Sequence, residues 1–414
     1  MNARPMGMPQ RPGTVSDCVF NTCNDTYRQR FWVNKDFWKS PNGPVFLYIG
    51  GEGALSSLTV QRGEHIELAE KYGALVFAVE HRFYGNSINN DGLRLANMRF
   101  LSSQQALADL ATFHTYAVKE YNLSENNVWI CYGGSYPGSL SAWFRLKYPQ
   151  LVYGAIASSA PVRAKVNFEG YHNVTTSSLG DPVVNGSFQK FTKLEKDFSS
   201  CKPLSVDKDI FWFASNLADI FDGVIQYNNE MPTMNISSLC KVMTKPGVPY
   251  DNLITLNKIT DQTCDPKTTC VFSRHITLGP NLELCQLVYG ISPDDVYRSV
   301  QFSNTYYGSD QPKGSRIVFV NGSIDPWHAL SVLRDLSKTE TAIYINGTAH
   351  CANMHGEQPS DPRPLRLARQ CMTLSDSALV LLLLQAVDRQ VGMWLKDAAR
   401  HQRTNNTTLY FQHT

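Results

Sequence analysis

The sequence predicts an α/β fold, a mostly parallel sheet flanked by helices, with an inserted and mostly helical cap. Three observations predict it. Short apolar runs alternate with amphipathic helical stretches, the rhythm of strands buried on both faces of a parallel sheet. The rhythm stops after Pro161 and resumes at Arg316. The residues able to do chemistry fall just past the ends of the apolar runs, where the loops of an α/β sheet gather.

Residues 1–30 are polar and Pro-rich and read as a loosely ordered segment. A first β-like run covers Arg30–Trp32. Pro44–Ile49 is continuously apolar and ends in Gly50-Gly51-Glu52-Gly53, a strand running into a Gly-rich turn. Glu64–Tyr72 has helical spacing and stops at Gly73. Ala74–Val79 is a second buried strand, ending at Glu80-His81-Arg82. Ser102–Tyr121 reads as a long helix, with Ser102 suited to its start and Leu107, Leu110 and Phe113 on one face. Val128–Tyr132 and Tyr153–Ser158 are further strands, separated by a helix over Gly138–Tyr148. Between 166 and 300 lie helical pieces such as Asp209–Tyr227, together with five cysteines: Cys201, Cys240, Cys264, Cys270 and Cys285. Strands return at Arg316–Val320 and Thr341–Ile345, with a helix predicted over Ala329–Ser337 between them. The organisation is thus a core in two parts, 31–165 and 301–400, a cap over 166–300 and a polar tail over 401–414.

The 414 residues are 43% hydrophobic and 18% charged, which allows a sizeable core and excludes disorder as the main character. A net charge of +2 gives no electrostatic reason to expect nucleic acid or an anionic membrane. None of the ten cysteines forms a C-x-x-C pair, so zinc ribbons and thioredoxin-like redox sites have no support. Asn-x-Ser/Thr sequons begin at Asn24, Asn122, Asn173, Asn185, Asn235, Asn321, Asn346, Asn405 and Asn406. Their number, with the cysteines, points to the secretory pathway. Met1–Val15 has no apolar segment of the signal-peptide kind. The strongest apolar run, Ala378–Ala386, is far shorter than the ~20 residues needed to span a bilayer.

One constellation carries chemistry. In Val128–Ser141 a buried strand runs straight into Gly133-Gly134-Ser135-Tyr136-Pro137-Gly138, and a helix follows. This is the arrangement of a nucleophile elbow, where a serine sits on a sharp turn and small residues flank it. The pattern G-x-S-x-G is met at Gly133 and Ser135; its fifth position is Pro137, with Gly138 next. A serine hydroxyl needs a base, and the base needs an orienting carboxylate. In such folds they follow in the order Ser, Asp or Glu, His. Asp325 follows one late strand, and His350 follows the next. As a lone residue Asp325 could be a turn former, which Asp-Pro often is. His355 is the best spare base, and His81 could line the pocket. The backbone N–H groups of Tyr136 and Gly51 are the candidate oxyanion donors. Glu52 reads either as a carboxylate able to pair with a free peptide amine or as a hydrogen-bond partner within its own loop. Tyr84 and Trp327 read either as aromatic walls of an apolar pocket, suited to a flat Pro ring, or as ordinary core residues.

GGSYPG, NGSIDPWH and GTAHC, together with FLYIGGEG and EHRFYG, resemble the prolyl carboxypeptidase and dipeptidyl peptidase family of lysosomal-type serine peptidases. The matching stretches cover about residues 28–165 and 270–375. The resemblance implies an α/β-hydrolase fold with a helical cap. It implies peptide substrates, a preference for Pro near a chain end, and Ser135 as nucleophile, Asp325 as orienting acid and His350 as base. No metal or organic cofactor is expected. The expected partners are a peptide substrate and a second copy of the chain in a homodimer. The expected location is endosomal, lysosomal or secreted. The chain departs from the pattern in three ways. Its cap is shortened and lacks a stretch that shapes the substrate pocket. Cys371–Ala386 interrupts the C-terminal helix. A signal peptide is absent. A second reading therefore keeps the fold without turnover, as a peptide-binding protein or splice form with an incomplete cap. An esterase or lipase on the same fold is a third.

Overall fold

A computed structural model of the chain describes residues 13–16, 26–88, 92–179, 196–198, 207–230, 234–259, 278–369 and 387–412. Cys371–Ala386 and six of the cysteines, at 18, 23, 201, 264, 270 and 371, lie outside the described residues. The strands are β1 Gly13–Ser16, β2 Thr26–Gln29, β3 Phe31–Asn34, β4 Val45–Ile49, β5 Leu75–Val79, β6 Trp129–Gly134, β7 Gly154–Ser158, β8 Ile317–Gly322 and β9 Glu340–Ile345. The α-helices up to the cap are α1 Glu64–Tyr72, α2 Leu95–Met98, α3 Ser103–Glu120 and α4 Tyr136–Lys147. Then come α5 Glu169–Leu179, α6 Asp207–Gln226, α7 Ile236–Met243, α8 Pro249–Ile259, α9 Leu278–Tyr289 and α10 Pro293–Tyr307. α11 Arg363–Arg369 and α12 Val387–Gln412 complete the series.

Seven strands form one sheet in the order β3-β5-β4-β6-β7-β8-β9. Only β3 is antiparallel to its neighbour; every other pair is parallel. The register puts Ile49 beside Val79, Gly134 beside Ser158, Ser158 beside Val320 and Gly322 beside Ile345. The carboxyl ends of these strands therefore form one edge, and their loops converge there. Alternate side chains go to opposite faces. Leu47, Phe77, Cys131 and Phe319 pack under α3 and α4, while Phe46, Val76, Ile130 and Val318 pack against α1, α11 and α12. α1 ends where it must: Gly73 takes the left-handed conformation, and its N–H caps Ala69 O.

The cap residues have a small core of their own, in which Phe213, Leu217, Ile220 and Val224 of α6 meet Leu239 and Leu256. α9 packs less fully and leaves Leu284, Leu287 and Val288 exposed.

Three expectations are corrected. Residues 13–16 and 26–29, read as loosely ordered, pair as antiparallel strands. Tyr27 and Gln29 are buried there and donate to Asp109 and to Glu80 O. Residues 401–412, read as a polar tail, continue α12. The helix predicted over Ala329–Ser337 is absent; a 3-10 turn spans Pro326–Leu330 and an irregular segment follows. The carbonyls of Leu330 and Val332 accept hydrogen bonds from Arg163 N and Asn321 Nδ2. Those bonds draw the chain out of a helical path.

The interior also holds titratable groups. Burial pushes the Glu64 carboxyl up to about 8, and burial pushes His65 and His81 down to about 4. The two histidines stay neutral when folded, so their contribution is full above about pH 6.5 and erodes as pH falls towards 4. Glu64 has the opposite sign. Its folded pKa is raised, so stability drains away as pH climbs from 4.5 towards 8. Between pH 4.5 and 6.5 the two histidines outweigh this carboxyl; above 6.5 they add nothing more, while the loss from Glu64 continues. Thermal melting across pH 4.5–8.5 is expected to give a maximum near pH 6.5, and Glu64→Gln is expected to flatten the alkaline decline. A melting temperature that rises steadily to pH 8.5 would contradict this assignment.

Candidate active site

Ser135 stands between β6 and α4 with φ 62° and ψ −133°, a costly conformation for a residue with a side chain. Its surroundings hold it there. Ser135 N donates to Ser158 O at 2.9 Å, and Ser135 O accepts from Gly138 N and Ser139 N at 2.9 and 3.1 Å. A Cβ on Gly133 would collide with the backbone carbonyl of Pro137, and one on Gly138 would lie 2.6 Å from Ser158 O. The glycine of the usual fifth position is thus displaced by one residue, to where the helix crosses β7 most closely. Pro137 fits in the first helical turn, where no N–H is required. Its ring packs onto Gly51, where a Cβ would collide with it. The Gly-rich turn after β4 is thereby laid against the elbow. From the far side Glu80 Oε1 accepts from Leu55 N, at the end of the same loop, and pairs with Arg30 at 2.6 Å.

Asp325 follows β8 and is fully buried. Its Oδ1 accepts from Trp327 N at 3.0 Å and meets His350 Nδ1 at 2.9 Å, while Oδ2 has no partner. With Nδ1–H given to the carboxylate, Nε2 is the ring atom left to act as a base. Burial works against a charged His350, but the Cys351 sulfur and then the Asp325 carboxylate outweigh it and hold the imidazole above its ordinary range. The Cys351 contribution exists only once the thiol is ionised.

The loop carrying His350 is tied to the elbow. Cys351 N donates to Ser159 Oγ at 2.8 Å, and Asn353 Nδ2 donates to Ser158 Oγ at 2.9 Å. A Cβ on Gly134 would lie 2.8 Å from Cys351 Sγ, so the sulfur is a close neighbour of the residue before Ser135. Ser159 N reaches Val320 O at 2.6 Å, which joins the strand before Asp325 to the same point. Asp325 and His350 are therefore in direct contact, and Ser135 lies on the adjoining loop. No hydrogen bond joins Ser135 Oγ to His350, whose ring bonds Asp325 Oδ1.

Two aromatic groups flank this centre. On one side Tyr136 Oη meets His81 Nε2 at 3.0 Å, and Tyr84 packs edge-on against His81 at 5.4 Å. Burial first, and then the nearby Glu52 charge, push the Tyr84 hydroxyl up; burial, then Tyr307 and then Glu52 push Tyr136 up. Glu52 is exposed at the rim. On the other side Trp327 meets Phe168 at 5.7 Å, Tyr171 at 5.5 Å and His350 at 6.5 Å between ring centroids. His355, the spare base, lies apart from the Asp325–His350 pair and meets Glu230 at 3.3 Å.

Sequence reasoning missed Gln226, Phe168 and Tyr171. Gln226 ends α6 with its carbonyl accepting from His350 N at 2.9 Å. Its Oε1 accepts from Trp327 Nε1 at 3.1 Å and Tyr171 Oη at 2.5 Å. No motif marks it; the helical period of α6 was the only signal. Among the described residues no group of three or more His, Cys, Asp or Glu could hold a metal ion, and no helix is long and apolar enough to cross a membrane. Among the described residues Cys131, Cys240, Cys285 and Cys351 are free cysteines.

Comparison with known proteins bears on this centre. Residues 17–269 and 260–372 match the family model described as serine carboxypeptidase S28. The chain is 34% identical to human (Homo sapiens) thymus-specific serine protease over 417 residues, covering 83% of this chain and 81% of that protein. It is 33% identical to the mouse (Mus musculus) thymus-specific serine protease, covering 91% and 85%. With human lysosomal Pro-X carboxypeptidase the identity is 27%, covering 84% and 83%. An elbow serine beside a buried Asp–His pair on an α/β-hydrolase sheet, matched along nearly the whole core, makes the chain a serine peptidase belonging to the serine carboxypeptidase S28 family.

Proposed function

We propose that Ser135, Asp325 and His350 act as a catalytic triad in an exopeptidase that removes residues from a peptide end, with preference for Pro beside the cleaved bond. The observation that carries this reading is the 2.9 Å contact between buried Asp325 and His350 on the loop that adjoins Ser135. Ser135 Oγ attacks the scissile carbonyl as His350 Nε2 takes its proton. His350 then gives that proton to the leaving amine, and water releases the acyl group by the reverse sequence. Asp325 fixes the tautomer and stabilises the imidazolium. The N–H groups of Tyr136 and Gly51 face the developing oxyanion; the first belongs to the start of α4, where helical N–H groups have no internal partner. Trp327 with Phe168 and Tyr171 forms an apolar wall suited to a Pro ring. Tyr84 forms the opposite wall. Exposed Glu52 is placed to attract a free amine.

The cap is assigned to 166–300 and the core to 31–165 and 301–400; of the described cap residues, Tyr171 and Gln226 meet Trp327 and His350. A lysosomal or secreted location fits the exposed sequons at Asn122, Asn173 and Asn346. Asn321 is excluded as a glycan site in the folded chain, because it is buried with Nδ2 bonded to Val332 O.

A fluorophosphonate probe is expected to label the protein, and Ser135→Ala is expected to abolish labelling. A well-folded wild type that does not label would favour the non-hydrolytic peptide-binding reading. Asp325→Asn is expected to lower kcat by roughly three to four orders of magnitude. In a library with Pro at varied positions, cleavage is expected within a few residues of one end. Cleavage centred on internal bonds of long chains would contradict the exopeptidase assignment.

A further inference from the structure

We infer that Gln226 of the cap helix is a substrate-binding residue, whose side-chain amide donates to a carbonyl or carboxylate oxygen of the peptide lying against Trp327. The inference rests on the peptidase reading above.

The partners of the Gln226 amide fix which way it faces. Oxygen and nitrogen of a glutamine amide are told apart by their partners. The Trp327 indole Nε1–H can only donate, so the Gln226 atom 3.1 Å from it must be the oxygen. The Tyr171 hydroxyl donates to that oxygen at 2.5 Å. Two donors from two different elements thus occupy Oε1 and lock the amide plane. Nε2, with two N–H groups, is left pointing the other way. It has no acceptor among the described residues, and it is not sealed from solvent, because it is absent from the buried polar atoms that lack partners. Gln226 as a whole is half-buried. A donor pair held rigidly but left open lies in contact with the Trp327 wall.

The same residue is anchored through its backbone. The last carbonyls of a helix have no internal partner. Here the Gln226 carbonyl accepts from His350 N at 2.9 Å. The amide therefore stands at a fixed distance from the imidazole that Asp325 holds. Tyr227, the next residue, packs edge-on against the His350 ring at 6.2 Å. A peptide whose scissile carbonyl sits at Ser135 and whose side chain rests on Trp327 brings its neighbouring backbone oxygen to this donor pair. The acceptor is an sp² oxygen, either of a peptide carbonyl or of a terminal carboxylate. The Tyr171 and Trp327 bonds leave the donors pre-oriented, so little rotamer freedom is lost on binding.

Gln226→Glu provides the test. It keeps an oxygen for Trp327 and Tyr171 and keeps the backbone carbonyl for His350, but it replaces the donors with an acceptor bearing charge. Steady-state kinetics are to be run on matched peptides, one with a free C-terminal carboxylate and one amidated. The expected result is a rise in KM of at least about tenfold for the free acid, where an N–H···O⁻ bond becomes repulsion, with a smaller change in kcat. For the amidated peptide the expected rise is about two- to tenfold, the worth of one neutral hydrogen bond. A larger penalty for the free acid identifies a carboxylate as the acceptor; equal penalties identify a peptide carbonyl. Melting temperature and the fluorophosphonate labelling rate report on fold and on Ser135 reactivity. KM unchanged for both peptides in a folded variant that still labels would overturn the inference. So would a fall confined to kcat and labelling, which would mean that Gln226 acts only by bracing His350. If the wild type itself neither labels nor cleaves, the peptidase reading fails instead.

Discussion

The 2.9 Å contact between Asp325 and His350 is the interaction on which the rest of the centre depends. A carboxylate with no exposed surface is costly unless it is paired. Its near oxygen is satisfied twice, by the imidazole and by Trp327 N, while the far oxygen is left without a partner. Removing the imidazole would strand the charge. The contact therefore holds two loops together, and in the proposed triad it also orients the base. Those loops come from adjacent strands, β8 and β9, whose parallel register delivers them to one edge.

Two further constraints make that contact usable. Ser158 and Ser159, at the end of β7, are joined by hydrogen bonds to the elbow, to the loop after His350 and to β8. Ser159 has φ 47° to do this, a sparsely used conformation for a non-glycine residue. The second constraint comes from the cap. Gln226 closes the site from above, with one carbonyl on His350 and one amide oxygen between Trp327 and Tyr171. Cap and core therefore meet both through these hydrogen bonds and through the rings of Phe168 and Tyr171 on Trp327.

The chain displays some of this openly and hides the rest. The strands of the sheet were legible because runs such as Val45–Ile49 and Leu75–Val79 are continuously apolar and end at a Gly-rich turn or at polar residues. The elbow was legible because only glycines fit around Ser135, even with Pro137 in an unusual place. That Pro137 packs on Gly51 was not legible, since it is a meeting of two loops and not a local preference. The missing helix after Trp327 fails for a related reason. Ala329–Ser337 has helix-forming residues, but distant donors at Arg163 and Asn321 capture its carbonyls, and tertiary bonds override propensity. Gln226 was the hardest to see. It acts on Trp327, 101 residues away, and amphipathic spacing reports only which face of α6 is buried. It does not report which loop the last turn of the helix will meet.

Trapping the acyl intermediate shows directly whether Ser135 is acylated. The protein would be mixed with an activated ester of a Pro-terminated peptide, quenched in acid and mapped by peptide mass spectrometry. The account predicts one acyl group on the fragment carrying Ser135, absent in Ser135→Ala and strongly reduced in Asp325→Asn. An acyl group found on Cys351, or none on a folded protein that still binds the peptide, would contradict it.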